Sequence, residues 1–360
     1  MSAAMLPSTH HGDTPSNRGR HVTSASGAGM LKQGTDMRSA LSKVGITVAQ
    51  LRDTGGSVLA DGRAYLVGSL AQGFGNGGSD VDIHVFAESA HPNSAPYLFF
   101  VNQVPVDIEF FPAVRVATLV AELGRAAVPT EVGRIALHPA PRGHRKMCLS
   151  RWMTAVPLDP AHGALVTSAD AAVIRAHLMR HSVELTVLYA ALAELAELGG
   201  ANPAGLWRHS GRALLDLLCT ERGLPPMGAK WLPARLRAAG IDDAVRRSFD
   251  PVNLDDWVGA VARLVWPIDD PLALVELQEC TIGEPVPLGR RAMTVTRYNQ
   301  LHGGEPPVGG CLRQVVAQAG ARRVLAWMRA GLVRPAVDPA ALNHSARRAP
   351  SDAEPVGEPR

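Results

Sequence analysis

The first half of the chain is patterned for β-strands with a few helices. Apolar runs near 64–68, 80–86 and 104–111 predict three strands, and the last two alternate apolar with acidic residues. Apolar residues at helical spacing predict an opening helix from Met37 to Arg52, and a further helix is expected near 113–124. The pattern therefore predicts a small sheet flanked by helices.

The second half is patterned for helices. From Ser168 onward apolar residues recur at three- and four-residue steps until Gly199 and Gly200, which predicts one long helix. Additional helices are predicted at 203–220, 230–239, 252–265 and, in amphipathic form, near 319–331. The fold class expected from both halves is α+β, with a small mixed sheet followed by an α-helical bundle.

Composition narrows the class of protein. The chain has 360 residues, of which 46% are hydrophobic, so it can bury a large core and form two or three domains. A net charge of +3 with only 5% aromatic residues weighs against a surface that tracks a nucleic acid. Four widely spaced cysteines predict neither a zinc site nor a disulfide framework. We expect a cytoplasmic protein without a membrane partner, because no bilayer-length apolar run or secretory signal occurs.

Two aspartates follow a glycine-rich stretch at the start of the second predicted strand. Gly68 and Ser69 come directly after the first strand, and Asp80 and Asp82 occupy alternate positions of the next one. Alternate residues of a strand project to the same face, so the two carboxylates lie side by side. Hard oxygen ligands of this kind suit Mg²⁺. The stretch therefore predicts a divalent-cation site.

A third acidic position lies on the third predicted strand. In the run Val104 to Phe111, Asp107 and Glu109 alternate with apolar residues. On a neighbouring strand both would face the side of Asp80 and Asp82 if the register allows it. Acidic residues in an apolar strand are costly without a partner, which a bound cation supplies. Either Asp107 or Glu109 can be the third ligand at this point.

The glycine-rich stretch is suited to an anion. Its glycines permit positive φ and close backbone approach, so that consecutive N–H groups can turn toward a phosphate, and Ser69 adds a hydroxyl donor. A helix expected to begin near Ser69 would aim its positive end at the same group. No Gly-Lys-Ser or Gly-Lys-Thr follows, and the glycine spacing does not fit a dinucleotide fingerprint.

Together these motifs resemble the nucleotidyltransferase superfamily typified by DNA polymerase β, which includes aminoglycoside-type and small bacterial nucleotidyltransferases. The resemblance rests on Gly68-Ser69, on Asp80-x-Asp82 after ten intervening residues and on Asp107 in a Val-Asp-Ile context, and it covers about residues 60 to 115. It implies that Gly68 and Ser69 contact a triphosphate and that Asp80, Asp82 and Asp107 hold two Mg²⁺ ions. Glu109 departs from the pattern, since it is expected on the same face as Asp107.

The expected domain organisation follows from these motifs and the composition. The predicted segments are a disordered tail (1–35), a nucleotidyltransferase domain (36–147), a helical domain (148–279), a small segment of unknown role (280–335) and a second disordered tail (336–360). The helical run looks like the C-terminal bundle of aminoglycoside-type enzymes, which can supply one wall of the cleft.

Several basic residues are candidates for contact with the nucleotide. Lys230, which follows a Pro/Gly loop, is predicted to bind phosphate, with Trp231 against the base, although a structural role for both is favoured. The cluster of Arg142, His144, Arg145 and Lys146 can neutralise a triphosphate or form a solvated helix end, and the second interpretation is favoured.

The predicted function is Mg²⁺-dependent transfer of a nucleoside monophosphate from an NTP, with ATP expected first, to an acceptor hydroxyl with release of pyrophosphate. A small-molecule acceptor is expected rather than a nucleic acid. Asp80, Asp82 and Asp107 would be the metal ligands, and Glu109 is the nearest candidate for a general base. The alternatives are a catalytically silent nucleotide-binding or regulatory module, and nucleotidylation of a protein. Nucleobase preference, acceptor identity and oligomeric state do not follow from the motifs.

Overall fold

The computed structural model describes residues 36–88, 90, 95–126, 141, 143–280, 286–288, 291–298, 300–303 and 307–348. The tail predicted at 1–35 and the last residues from 349 lie outside the described ranges. The helices are α1 (Met37–Ser42), α2 (Val48–Ala60), α3 (Gly68–Ala71), α4 (Arg115–Ala126), α5 (Gly143–Trp152), α6 (Ser168–Leu198), α7 (Ala204–Glu221), α8 (Leu232–Ala238), α9 (Asp243–Arg247), α10 (Leu254–Ala262), α11 (Leu312–Ala319), α12 (Ala321–Ala330) and α13 (Pro339–Arg348).

Five strands form a mixed sheet in the first half of the chain. They are β1 (Arg63–Val67), β2 (Val81–Ala87), β3 (Tyr97–Val101), β4 (Val104–Pro112) and β5 (Val156–Pro157), in the spatial order β3-β4-β2-β1-β5. Strands β2 and β4 run parallel, and the other neighbours are antiparallel. The three predicted strands are confirmed as β1, β2 and β4. The mixed sheet among helices confirms the coarse expectation of an α+β fold.

Helices cover both faces of this sheet. Apolar residues of α1 and α2 pack on one face against Leu66, Ile83 and Ile108. On the other face α4, α5 and the start of α6 pack against Tyr65 and Phe86. Because both faces are buried along most of their length, polar side chains in β2 and β4 need partners from the covering helices.

The single helix predicted over 37–52 is two helices. Gly45, with φ +76°, turns the chain after α1, and the side chain of Thr47 caps α2 by accepting from the backbone N–H of Gln50. The Gln50 side chain caps the Thr47 N–H in return. This reciprocal cap starts a new helix where apolar spacing alone predicted continuity.

The long helix α6 is central to the second half. It is confirmed from Ser168 to Leu198, where it ends before Gly199 and Gly200. Its first turns pack with the sheet-facing core, whereas residues from Met179 to Leu195 belong to a larger core shared with α7, α10 and the C-terminal region. One helix therefore joins the two cores. The predicted helices at 203–220, 230–239, 252–265 and 319–331 correspond to α7, α8, α10 and α12.

The C-terminal region has strands that the sequence did not predict. They are β6 (Val275–Glu279), β7 (Val286–Leu288), β8 (Arg291–Val295), β9 (Leu301–Gly303), β10 (Gly310–Cys311) and β11 (Val333–Val337). Antiparallel pairing gives the orders β10-β6-β11 and β7-β8-β9. The expected boundary after residue 279 separates β6 from the strands with which it pairs. Long-range pairing of this kind leaves no local signal.

Residues 339–348 form helix α13, where the Pro, Ala and Arg composition predicted disorder. Leu342 and Ala346 are buried in the core that α6 lines. The fully buried Arg180 of α6 donates from Nη1 to Asn343 Oδ1 at 2.7 Å and from Nε to Glu184 Oε1 at 3.2 Å. The helix docks through two apolar positions four residues apart, and an overall composition rich in Pro, Ala and Arg does not reveal such a pair.

None of the helices in the described ranges is both long and apolar enough to cross a bilayer.

Because α13 docks in the core through Leu342, truncation of this side chain should lower stability more than truncation of an exposed leucine. Leu342→Ala should lower the free energy of unfolding by about 2–4 kcal/mol, because it leaves a cavity in a closed core. Leu198→Ala is the matched control, since Leu198 is more than half exposed, and it should cost less than about 1 kcal/mol. Urea unfolding followed by circular dichroism measures both. Equal losses would show that α13 does not contribute to the core.

Candidate active site

The parallel register of β2 and β4 gathers the acidic residues. Asp82 lies directly opposite Asp107, and His84 lies directly opposite Glu109. Paired residues of neighbouring strands project to the same face, so these four side chains form a block on one face of the sheet. Asp80, two residues before Asp82, extends the block at its open end. The register therefore places Asp82, Asp107 and Glu109 on one face of the sheet.

The Gly-Ser turn lies directly beside Asp82. Val67, the last residue of β1, pairs with Asp82, and Gly68 follows with φ +71°. A Cβ atom at Gly68 would overlap the Asp82 carboxylate. Glycine is required here both by its conformation and by this close approach.

The predicted helix near Ser69 is a single turn, α3. Gly73, with φ +82°, ends it, and the N–H groups of Phe74 and Gly75 donate to the Ser69 carbonyl. Lys43 Nζ donates to the Gly73 carbonyl at 2.7 Å and ties the glycine-rich loop to the end of α1. The loop is therefore folded onto the start of α3 rather than extended.

Arg151 of α5 supplies the positive charge among these carboxylates. Its Nη2 lies 3.3 Å from Asp82 Oδ1, and its Nη1 donates to Glu109 Oε1 at 3.1 Å. The guanidinium thereby joins two acidic residues from different strands. Because its side chain is 30% exposed, Arg151 can be reached from solvent as well as from the sheet.

His84 is a neutral, oriented residue at the base of the block. Its ring is buried, and its Nδ1 accepts a hydrogen bond from Trp152 Nε1 at 2.8 Å. An indole N–H can only donate, so the neutral ring carries its hydrogen on Nε2. That nitrogen is 3.8 Å from Glu109 Oε1. Burial lowers the pKa of His84, although Glu109 opposes this shift.

The two strand acids nearest Arg151 differ in their proton affinity. Interaction with His84 and the charge of Arg151 lower the pKa of Glu109 in spite of its partial burial. Burial raises the pKa of Asp82 to about 6, and the charges of Asp80, Asp107 and Glu109 add to this effect against Arg151. Negative charge is therefore in excess around Asp82, even with Arg151 present.

The donor set fits a hard divalent cation. Asp80, Asp82 and Asp107 offer carboxylate oxygens at one end of the sheet. Burial is the main cause of the raised pKa of Asp82, and the charges of the neighbouring acids add a smaller effect that a cation would relieve. In the described ranges no three acidic, histidine or cysteine side chains are already arranged as a metal cluster. In this structure Arg151 is instead the ion-pair partner of Asp82.

The predicted basic cluster is dispersed. Arg142 lies outside the described residues. Arg145 pairs with Glu122 of α4 at 3.3 Å, and burial lowers the pKa of Lys146 on a side of α5 near Asp216. His144 stacks on Phe111 and contacts Cys148, whose pKa is raised to about 12 by burial. These contacts hold α5 in place and leave Arg151 as its contribution to the carboxylates.

Lys230 is not brought to the carboxylates. It is exposed, with its Nζ 5.3 Å from the centre of the Trp231 ring. Within the described part of the chain it forms no hydrogen bond or ion pair with β2 or β4. Its predicted role in binding phosphate stays a prediction.

Sequence reasoning missed His84 and Arg151. His84 continues the alternation of Asp80 and Asp82, so the period of the strand could have indicated it. Arg151 follows His144 and Cys148 at helical spacing, but its position relative to β2 depends on how α5 packs.

Comparison with known proteins adds no family to this geometry. A scan against protein-family models and a search of curated proteins gave no match to the chain.

The raised pKa of Asp82 predicts how stability depends on pH. The folded protein binds this proton more tightly than the unfolded chain, so ionisation lowers the free energy of unfolding as pH rises from about 4 to about 6. In the presence of EDTA and above pH 6, the free energy of unfolding of Asp82→Asn should therefore exceed that of wild type by about 1–3 kcal/mol. The difference should shrink toward pH 4.

Urea unfolding at pH 4, 5, 6 and 7.5 measures this difference. Added Mg²⁺ should stabilise wild type selectively. If the free energies of unfolding of wild type and variant change in parallel over the whole pH range, the pKa of Asp82 is not raised in the folded protein.

The contact between Gly68 and Asp82 predicts the cost of a side chain at this turn. Gly68→Ala should lower the free energy of unfolding by at least about 1 kcal/mol more than Gly45→Ala. Both glycines have positive φ, but a Cβ at Gly45 meets no neighbour within 4 Å. Chemical denaturation compares the two variants. Equal costs would mean that the turn does not press against the carboxylate.

Proposed function

We propose that this protein is a nucleotidyltransferase, which transfers a nucleoside monophosphate from an NTP to the hydroxyl of a small molecule and releases pyrophosphate. The observation that carries the proposal is the Asp82–Asp107 cross-strand pair directly beside the Gly68 turn. A triphosphate and the acidic residues that handle it can then meet at one end of one sheet. The resemblance of the motifs to the DNA polymerase β-like superfamily points to the same reaction.

Asp80, Asp82 and Asp107 are the residues that would hold two Mg²⁺ ions. When bound, the ions would neutralise the departing pyrophosphate and lower the pKa of the acceptor hydroxyl. Asp107 is preferred to Glu109 as the third ligand, because Asp107 is the direct cross-strand partner of Asp82. Glu109 is instead engaged by Arg151.

Arg151 and Glu109 have complementary tasks in this proposal. Arg151 offers a guanidinium to the phosphates at the edge of the carboxylate block. Glu109 fixes the guanidinium, and its lowered pKa makes it a poor general base. Trp152 fixes the tautomer of His84, whose Nε2 lies 3.8 Å from Glu109 Oε1. In this proposal we therefore give Glu109 a positioning role, although the sequence made it the nearest candidate for a general base.

A catalytically silent nucleotide-binding module is the second candidate function. The observation that favours it is the pairing of Arg151 with Asp82, which neutralises part of the acidic block without a metal. A protein that had lost metal chemistry could keep its fold in this way. Pyrophosphate release separates this candidate from the first, and the mass of the product separates transfer to a small molecule from nucleotidylation of a protein.

The proposal is tested by incubating the protein with Mg²⁺, each of the four NTPs and an extract of small metabolites. We expect Mg²⁺-dependent pyrophosphate release and a small molecule that gains the mass of one nucleotide. Asp82→Asn should abolish both, because it removes a charge that would hold the metal and keeps the shape. Asp53→Asn, at an exposed position of α2, is the control and should be fully active. Binding of NTP without any release would favour the silent module.

The two candidates for the third ligand predict different losses. Asp107→Asn should reduce turnover by several orders of magnitude, whereas Glu109→Gln should reduce it by no more than about 100-fold. Initial rates of pyrophosphate release at saturating Mg²⁺ give the ranking. If Glu109→Gln is the more damaging change, the metal ligand is Glu109 and Asp107 has the lesser role.

A further inference from the structure

The edge strand β3 presents two large apolar side chains beside the acidic block. Leu98 and Phe100 are each 60% exposed. Leu98 pairs with Asp107, and Phe100 pairs with Pro105. Cross-strand partners share a face, so both side chains lie on the same face as the carboxylates. We call Leu98, Phe100 and Pro105 the apolar platform.

The alternation of β3 separates this platform from the core. Phe99 and Val101 point to the opposite face, where they pack with residues of the sheet core. Burial therefore accounts for Phe99 and Val101 but not for Leu98 and Phe100. Large apolar side chains exposed side by side on a strand mark a surface that contacts something else.

The order of residues across the sheet indicates what the platform contacts. One row runs from Val67 through Asp82 and Asp107 to Leu98. The Gly68 turn adjoins Asp82 at one end of this row, and the platform adjoins Asp107 at the other. If the triphosphate lies at the turn, the acceptor approaches from the opposite end.

We propose that the apolar platform binds the acceptor, and that the acceptor is an alcohol with an apolar, ring-bearing body. This inference rests on the proposed function and specifies its substrate class. Alternate residues of a strand are about 7 Å apart, so Leu98 and Phe100 span one ring or two fused rings. None of the three platform side chains carries a charge, which suits an apolar body better than a polycationic sugar.

The variants that test the proposal remove the apolar surface and keep strand propensity. Leu98→Thr and Phe100→Thr are combined in one protein. Tyr97→Thr is the matched control, because Tyr97 lies on the same strand, is 49% exposed and faces the other side of the sheet. All three positions are exposed, and urea unfolding is used to check that each variant is folded.

The probe is 2-(2-naphthyl)ethanol, with glycerol as the polar comparison. Saturation-transfer NMR and titration should show binding of the naphthyl ring to wild type and to Tyr97→Thr. The double variant should bind it at least about tenfold more weakly. Glycerol should bind none of the proteins measurably. Equal binding of the naphthyl probe to wild type and to the double variant would overturn the proposal.

Two further measurements distinguish acceptor binding from self-association and from failure of the proposed function. Affinity for Mg²⁺-ATP should be the same in all variants; if wild type fails to bind Mg²⁺-ATP, the proposed function is wrong whatever the probe shows. Light scattering after size-exclusion chromatography reports self-association through the exposed edge strand. A wild-type dimer that the double variant converts to a monomer would assign the platform to a contact between copies and overturn the acceptor proposal.

Discussion

The parallel pairing of β2 with β4 is the constraint on which the site depends. The register of this parallel pair places Asp82 beside Asp107 and His84 beside Glu109, so acidic groups are held side by side on a largely buried face. Such groups repel each other and lose hydration, which is expressed in the pKa of Asp82, raised to about 6. The covering helices supply what this arrangement lacks, which is positive charge and oriented hydrogen bonds.

Helix α5 supplies both the positive charge and the oriented hydrogen bond through adjacent residues. Arg151 reaches the carboxylates, while Trp152 donates to the buried His84. Because both come from one helix end, the charge balance and the tautomer of His84 are set together by the packing of α5. Contacts of Arg145 with α4 and burial of Cys148 hold that helix against the sheet. Gly68 lies directly beside Asp82, where any side chain would meet the carboxylate.

The buried acidic block lowers the stability of the fold at neutral pH. A carboxylate with a raised pKa weakens the fold at neutral pH, and Gly68 and the charged block replace what could have been apolar contacts. In the proposed function, bound Mg²⁺ and nucleotide would restore this stability. The exposed apolar side chains of β3 are likewise not explained by folding, and in the proposed function they contact the acceptor.

The sequence by itself determined β1, β2 and β4, the long helix α6 and the alternation that puts Asp107 and Glu109 on one face of their own strand, because strand and helix periods are local properties. It did not determine that Asp107 opposes Asp82, that β3 joins the edge or that β6 pairs with β10 and β11. Only the tertiary structure brought Arg151 to Asp82 and docked α13 on α6. Strand neighbours and helix docking are decided by contacts between residues far apart in the chain, for which periodicity gives a face but no partner.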